Sequence, residues 1–389
     1  MERAPTTVER GDGLHAALAV TCRPLAEART LPRRVYDDPE IFALEGRALF
    51  GRMWLCVGRE EDLPDAGSYL TQAIGGERIL VVRGEDRALR AFYNVCRHRG
   101  TQLVEEPCGR LRGAIGCPYH AWTYALDGRL LRAPRAEAGF RPEEFPLMQA
   151  RLETLGGFVF VNLDRTAPAL SAALADLPDL GRYRLDELRR ARTVEYTVAA
   201  NWKVVAENYS ECYHCPLVHP QLSRISDLTS GFVQCGVAFN GGPMQPREGF
   251  TTMSMSGATA LAPIPGLADA DLRLVHYYLV YPNLMLGLHP QYVLVHRAWP
   301  LALDRTRVVC EWLFPQASLA APGFDPADMV AFWDLTNRQD WGLCERVQRG
   351  ATSTGYVPGP YHSSERCVHA FDKWYAEAIA PQLAAAAIA

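Results

Sequence analysis

The sequence carries little net charge: 389 residues sum to a formal −4, so the basic footprint that nucleic acid demands is missing. It lacks any apolar run near the roughly 18 residues of a membrane span, which argues against a membrane-embedded protein. The apolar stretch 14–20 is too short for an export signal. Arg23 and Pro24 follow it, and Glu2, Glu9 and Asp12 offset Arg3 and Arg10 before it. No internal repeat or long low-complexity tract is present. No Gly-x-Gly-x-x-Gly fingerprint stands in a strand–turn–helix setting, so the sequence shows no dinucleotide-binding motif of that kind. The eleven cysteines are an odd number scattered over the whole length, which speaks against a disulfide framework and suits a reducing cytoplasm.

What the sequence does have is concentrated between Cys96 and His120. One end reads Cys96-Arg97-His98-Arg99-Gly100 and the other Cys117-Pro118-Tyr119-His120-Ala121-Trp122, with eighteen residues between His98 and Cys117. Each end offers one thiolate and one imidazole, and Gly100 and Pro118 suit tight turns. As facing loops, the two ends would give one iron a pair of sulfurs and a second iron a pair of nitrogens, the ligation of a Rieske [2Fe-2S] cluster. Imidazole in place of thiolate makes such a cluster less negative, which raises its potential to roughly −150 to +300 mV from about −400 mV. A structural zinc also accepts two Cys and two His, but zinc spacing usually pairs like with like and here each pair is mixed.

The length suits two domains, each with its own core. Residues 1 to about 45 read as a flexible start and then a helix capped at Asp38-Pro39, with Ile41, Leu44, Leu49 and Phe50 as its apolar stripe. From Trp54 onward, runs such as 78–83 and 89–94 alternate with turn signals at Gly75-Gly76 and Gly84-Glu85-Asp86. They predict antiparallel strands that close with the run 157–163. A polar, helix-prone connection leads to about residue 192. After it come a strand at 193–199, a helix at 201–222, three strands between 275 and 315, a helix at 327–348, and an Ala-rich end that frays after Tyr375. Residues 229–271, rich in Gly, Ser, Met and Pro, read as a long loop, either a pocket lid or rim or a disordered insertion. The predicted class is α+β, divided into an N-terminal helical segment 1–44, a small all-β domain 45–165 and a sheet-and-helix domain 166–389.

A second metal site is written in Glu207-Asn208-Tyr209-Ser210-Glu211-Cys212-Tyr213-His214-Cys215-Pro216-Leu217-Val218-His219. Two histidines five residues apart would lie about 140° from each other on a regular helix. Pro216 supplies the remedy, because it bends or ends a helix and would let the rings converge. Two His and one carboxylate, with open positions, make the facial triad of non-haem Fe(II) oxygenases. Asp340, in Asn337-Arg338-Gln339-Asp340-Trp341, is the candidate carboxylate, although an acid at such a place is by composition alone more often a solvated surface group. Glu211 lies three residues before His214 and shares its face. Cys212 and Cys215 could form a zinc or redox dithiol; packing also accounts for them.

On these motifs the chain resembles the Rieske non-haem iron oxygenases over roughly residues 35–375. The respiratory Rieske proteins join their two loops by a disulfide, and the corresponding positions here are Thr101 and Tyr119, so the resemblance is to the oxygenase branch. It implies a helix-grip, START-like catalytic domain, Asp340 as third iron ligand, Asn208 as a polar neighbour of the iron, and a homotrimer. It further implies that Glu211 bridges His214 to His120 of another subunit. Most members have Asp where this chain has Glu211, and Glu there is similar to the branch acting on glycine betaine, stachydrine and carnitine. The tail motifs Cys344-Glu345-Arg346-Val347-Gln348-Arg349-Gly350, Gly359-Pro360-Tyr361 and Trp374-Tyr375 point the same way.

The implied activity is that of an oxygenase component using O2, a [2Fe-2S] cluster and Fe(II), with electrons from NAD(P)H through a separate flavin or iron–sulfur reductase. The expected reaction is monooxygenation of an N-methyl group, lost as formaldehyde. Hydroxylation, including dioxygenation, or dealkylation of an aromatic compound is the alternative. An aromatic cage would hold a trimethylammonium group at roughly 0.5–2 kcal/mol per ring. Phe232, Tyr277, Tyr278, Tyr281 and Trp333 are the candidates, though strand aromatics are more often core.

Overall fold

The computed structural model describes residues 7–388 apart from Phe232. The chain forms two compact units, one of them Glu45–Ala173 and the other made from what precedes and follows it.

The Glu45–Ala173 unit is built on a seven-stranded sheet. Its order is Leu55–Arg59, Phe158–Asn162, Gln149–Leu155, Leu89–Tyr93, Glu77–Arg83, Ser68–Ile74 and Cys108–Arg110, every neighbour antiparallel. The strand Phe158–Asn162 is buried on both faces, which is why it reads as an unbroken apolar run. A second, three-stranded sheet joins Ala114–Gly116, Thr123–Ala125 and Leu130–Arg132. Leu80, Phe92, Ile115 and Tyr124 lie in one core cluster that also takes in Cys96 and Cys117, so the two thiols are anchored by hydrophobic packing.

The other unit centres on an antiparallel sheet in the order Leu188–Val198, Arg305–Pro315, Val293–Ala302, Leu284–Leu288, Val275–Val280 and Phe239–Pro246. Val275–Val280 and Leu284–Leu288 are buried throughout. The helices Trp202–Tyr209, Ala327–Ala351 and Arg366–Ile388 pack on this sheet. The class is α+β, as the sequence indicates. No described helix is long and apolar enough to cross a membrane.

Several local expectations are corrected. The start of the chain holds a helix at Thr7–Thr21, whose Leu14 and Leu18, four residues apart, are buried, and it packs against Arg366–Ile388. The residues before Glu45 therefore group with the C-terminal unit, and the boundary after the Rieske-like unit falls at Ala173, past the short helix Leu170–Ala173. The Ala-rich terminus stays helical to Ile388, consistent with the high helix propensity of Ala and with Ile379 buried against the fold. The connection before residue 192 already contains strand, since pairing with Arg305–Pro315 begins at Leu188.

The Gly- and Pro-rich stretch expected as a loop contains the strand Phe239–Pro246. Gly241 has φ +143°, and a Cβ there would meet the Tyr277 carbonyl oxygen at 1.9 Å. Its glycine thus serves close approach between strands rather than looseness. A fourth strand, Leu284–Leu288, also lies within the region where three were expected.

Candidate metal centres and catalytic pocket

The two cluster loops close with the same backbone pattern. The Cys96 amide donates to Thr101 O at 2.8 Å and Gly100 N to Cys96 O at 3.0 Å; the Cys117 amide donates to Trp122 O at 2.7 Å and Ala121 N to Cys117 O at 3.1 Å. Gly100 and Ala121, the fourth residue after each cysteine, both have positive φ, +73° and +56°. Each loop thereby presents its histidine two or three residues past a buried cysteine. The His98 and His120 rings lie 4.7 Å apart, and His98 stacks on Trp122 at 4.9 Å.

Tyr124 Oη is 3.3 Å from Cys96 Sγ and accepts the Arg97 amide at 3.0 Å. Burial opposes ionisation of Cys117, yet the backbone amides of Tyr119 and His120 and the side chains of Cys96 and Thr101 outweigh it and hold the thiol below its ordinary pKa. Two buried sulfur donors and two imidazoles nearer the surface fit a [2Fe-2S] cluster.

The helix predicted over 201–222 is three shorter ones. Trp202–Tyr209 is capped by Asn201, whose side chain accepts from Lys203 N, and it stops at Ser210. Cys215–Val218 and Pro220–Ile225 follow, with His214 and His219 as their N-caps. Pro216 sits in the first turn of a helix, where its missing amide costs nothing, so it starts a segment instead of ending one. The angular offset of a continuous helix never arises.

His214 Nε2 lies 3.2 Å from His219 Nε2 and 3.2 Å from Asp340 Oδ1, and His219 Nε2 lies 2.9 Å from the same oxygen. Donor atoms at right angles on a first-row metal, each about 2.1 Å from it, would be about 3 Å apart, so this triangle fits a facial triad. The remaining ring nitrogens are both engaged. His214 Nδ1 bonds to Glu211 Oε1, and His219 Nδ1 bonds to Gln339 Oε1 at 2.8 Å. Those contacts set the tautomer and leave each Nε2 for a metal.

Burial works against protonating His214, but its bonds to Asp340 and Glu211 prevail and lift its pKa to about 10. Burial likewise raises Asp340, and the two histidines more than reverse it. A buried carboxylate facing two imidazoles calls for positive charge between them, a demand a divalent cation meets. Cys215 Sγ is 3.9 Å from His214 Nε2, but that sulfur is bonded to Cys212. The pair, expected as packing thiols or a dithiol, is a disulfide whose Cα atoms lie 4.9 Å apart, and Asp340 is the available third donor.

A pocket of about 610 Å³, counting its open mouth, adjoins the triad. Asn208, Tyr277 and Trp333 are among its lining residues. Tyr281 is not: it lies four residues beyond Tyr277, about 13 Å along an extended chain, and packs against Phe371 and Trp374. Tyr278 turns to Gln234, to which its hydroxyl donates at 3.0 Å. Phe232 lies outside the described residues.

Sequence reasoning missed Tyr209, His296, Thr336, Asn337 and Trp341, all on the pocket wall. The helix members had a legible signal, since residues 333, 336, 337, 340 and 341 recur at the spacing of one helical face. His296 had none, because it sits inside the buried run 293–299 of a strand, next to a buried Arg297, where strand period alone marks no pocket.

Comparison with known proteins agrees with this architecture. A model of the Rieske [2Fe-2S] domain matches residues 53–152, and one of the ring hydroxylating alpha subunit (catalytic domain) matches 185–381. The glycine betaine monooxygenase oxygenase subunit of Chromohalobacter salexigens is 35% identical, over 97% of this chain and 92% of that protein. The carnitine monooxygenase oxygenase subunit of Escherichia coli K12 is 41% identical, over 86% and 87%. The crystal structure of the quaternary ammonium Rieske monooxygenase CntA with L-carnitine superposes with a TM-score of 0.74 at 26% identity, covering 97% of this chain and 99% of that one. Both halves are thus matched in tandem and the relatives align almost end to end: the chain belongs to the Rieske non-haem iron oxygenases, with a catalytic domain of the ring-hydroxylating alpha-subunit type.

Proposed function

We propose that this chain is the oxygenase component of a Rieske monooxygenase that removes a methyl group from a quaternary ammonium compound. One observation carries the substrate class. The pocket beside the triad is walled by Tyr209, Tyr277, Trp333 and Trp341, contains Glu211 and Asp340, and has no Lys or Arg among its lining residues. Aromatic faces attract a permanent cation and no lining Lys or Arg opposes one, while Glu211 and Asp340 are taken up by His214 and the metal site. The naming of relatives after glycine betaine and carnitine supports the same class.

In this reading Cys96, His98, Cys117 and His120 hold a [2Fe-2S] cluster, and His214, His219 and Asp340 hold Fe(II). When bound, the two centres would supply one-electron transfer and O2 activation beside the substrate. The protein's own work is positional. Glu211 keeps the His214 Nδ1 proton and Gln339 that of His219, so both Nε2 atoms stay available. Leu222, Met244 and Leu294 line the same pocket and keep water from the reacting methyl group, while Asn208 adds a polar neighbour.

CntA has been described in terms of inter-subunit electron transfer. The corresponding arrangement here is a homotrimer in which Glu211 faces His120 of a neighbouring copy. Electrons come from NAD(P)H through a separate flavin or iron–sulfur reductase. A cytoplasmic setting belongs to this reading, because Cys96 and Cys117 must stay reduced to bind iron.

The test couples purified holoenzyme to a surrogate reductase and offers glycine betaine, carnitine, γ-butyrobetaine, tetramethylammonium and a panel of aromatic acids. Formaldehyde release with matched O2 uptake from a methylammonium compound is the expected result. Turnover of an aromatic acid with no formaldehyde from any methylammonium compound overturns the assignment.

A further inference from the structure

The pocket contains one polar group whose hydrogen-bonding sense is fixed from outside it. Asp334 accepts from the Tyr196 hydroxyl at 2.7 Å and from Arg338 Nε at 2.9 Å. Burial opposes its ionisation, but Arg338 and Tyr196 hold its pKa below the usual carboxylate range, so it acts as acceptor only. Tyr196 therefore spends its single proton on Asp334, and its oxygen can only accept from Asn337 Nδ2, 3.4 Å away. That turns Asn337 Oδ1 toward His296 Nε2, at 3.1 Å. A carbonyl oxygen there requires Nε2 to carry the proton.

His296 is 3% exposed and burial lowers its pKa to about 4, against smaller opposing effects of Asn337 and Asp340. The ring is neutral, with its one proton on Nε2. Its Nδ1 is a bare lone pair, buried and without a hydrogen-bond partner. A second unmet group stands nearby: Trp341 Nε1, a donor only, buried and without a partner, on a ring 6.5 Å from that of His296. Both residues line the pocket that holds the triad. Buried polar atoms left unpaired in a protein call for an explanation, and a ligand that pairs them is one.

The group that satisfies a lone pair and an N–H together is a hydroxyl. A carboxylate takes up the Trp341 proton but confronts the His296 lone pair with another acceptor, and the pocket lining offers no Lys or Arg to relieve it. We propose that His296 is a specificity-determining residue whose Nδ1 accepts a hydrogen bond from a hydroxyl on the substrate, with Trp341 Nε1 donating to the same oxygen. The enzyme thereby selects hydroxylated quaternary ammonium compounds over their deoxy analogues. This inference rests on the quaternary ammonium reading above and sharpens it.

Carnitine and γ-butyrobetaine, which differ by one hydroxyl, are the probes. For the wild-type holoenzyme, kcat/KM from formaldehyde release and Kd from calorimetry should both favour carnitine, by about tenfold or more, as a site that leaves buried polar groups unpaired rejects the analogue lacking the hydroxyl. In His296→Phe the ratio should fall toward one. His296→Gln keeps a donor toward Asn337 and an acceptor toward the pocket, and should keep part of the preference. Tyr196→Phe removes the group that orients Asn337 without altering the pocket wall, and should lower the ratio too.

A ratio of two substrates on one protein cancels general damage, and mononuclear iron bound per chain reports that the catalytic unit of each variant is folded. Equal wild-type treatment of the two amines, or a preference untouched in both His296→Phe and Tyr196→Phe, overturns the inference while leaving the substrate class standing. Absence of binding and formaldehyde with both compounds overturns this inference, whereas the substrate class falls only if every methylammonium compound in the panel fails.

Discussion

Replacing Gln339 by Ala removes the hydrogen-bond partner of His219 Nδ1, a contact of 2.8 Å. His219 has 2% side-chain exposure, so water has little access to take over the bond. The loss acts in two ways: the ring gains freedom to rotate, and the proton gains freedom to move to Nε2, where it would block the metal. Partners of this kind typically contribute ten- to a hundredfold in metal affinity, about 1.4–2.8 kcal/mol. Burial of His219 places this case toward the upper end.

The assay is iron retained per chain after dialysis against graded chelator, with the cluster counted separately by its absorbance. Gln339→Glu serves as the control. It keeps an acceptor and adds negative charge, so it should hold iron as well as the wild type or better. Equal retention in Gln339→Ala and wild type, or equal loss in the Ala and Glu variants, would refute the role given to this contact.

Three further outcomes follow from the geometry. His214→Ala and Asp340→Ala should each abolish mononuclear iron and formaldehyde release while leaving the cluster spectrum unchanged, because the cluster donors belong to the other compact unit; a bleached cluster in either variant would contradict this. Tyr124→Phe deletes the hydroxyl 3.3 Å from Cys96 Sγ, and losing a hydrogen bond of about 1 kcal/mol should lower the cluster midpoint potential by on the order of 40 mV, read by redox titration.

Stability should fall as pH rises through the range above 4.5. Glu207 is fully buried and burial lifts its pKa from 4.5 to about 7, opposed by Tyr36, Lys203 and a bond with Asp372. Asp372, also buried, is raised and takes a bond from Tyr361 at 2.6 Å. The folded chain therefore binds more protons than the unfolded one between those two values. Unfolding free energy should drop by on the order of 1–3 kcal/mol from about pH 4.5 to 7 and then level off. Thermal denaturation across that range, with Glu207→Gln as the flattened comparison, checks the sign.

Much of the chemistry was legible in the sequence because it is local. Four cluster donors lie within a stretch whose mixed Cys/His spacing suits one kind of centre, and two further histidines flank a proline in one short segment. Strand runs such as Glu77–Arg83 and the long helix Ala327–Ala351 were legible for the same reason, since periodicity is a property of consecutive residues.

What the sequence could not decide is everything that depends on close approach between distant segments. Gly241 and its neighbours read as a loop until Tyr277 O is seen where a side chain would be. Cys212 and Cys215 read as packing thiols until the turn brings them together. Asp340 is one acid among many until it meets two imidazoles more than a hundred residues away. The sense of the His296 ring is set by Asp334 through Tyr196 and Asn337, from one helix and one strand other than its own. Local sequence determined which donors exist and in what local order; the tertiary fold decided which of them share a space, because a hydrogen bond or a coordination sphere spans only about 3 Å and chain distance says nothing about that.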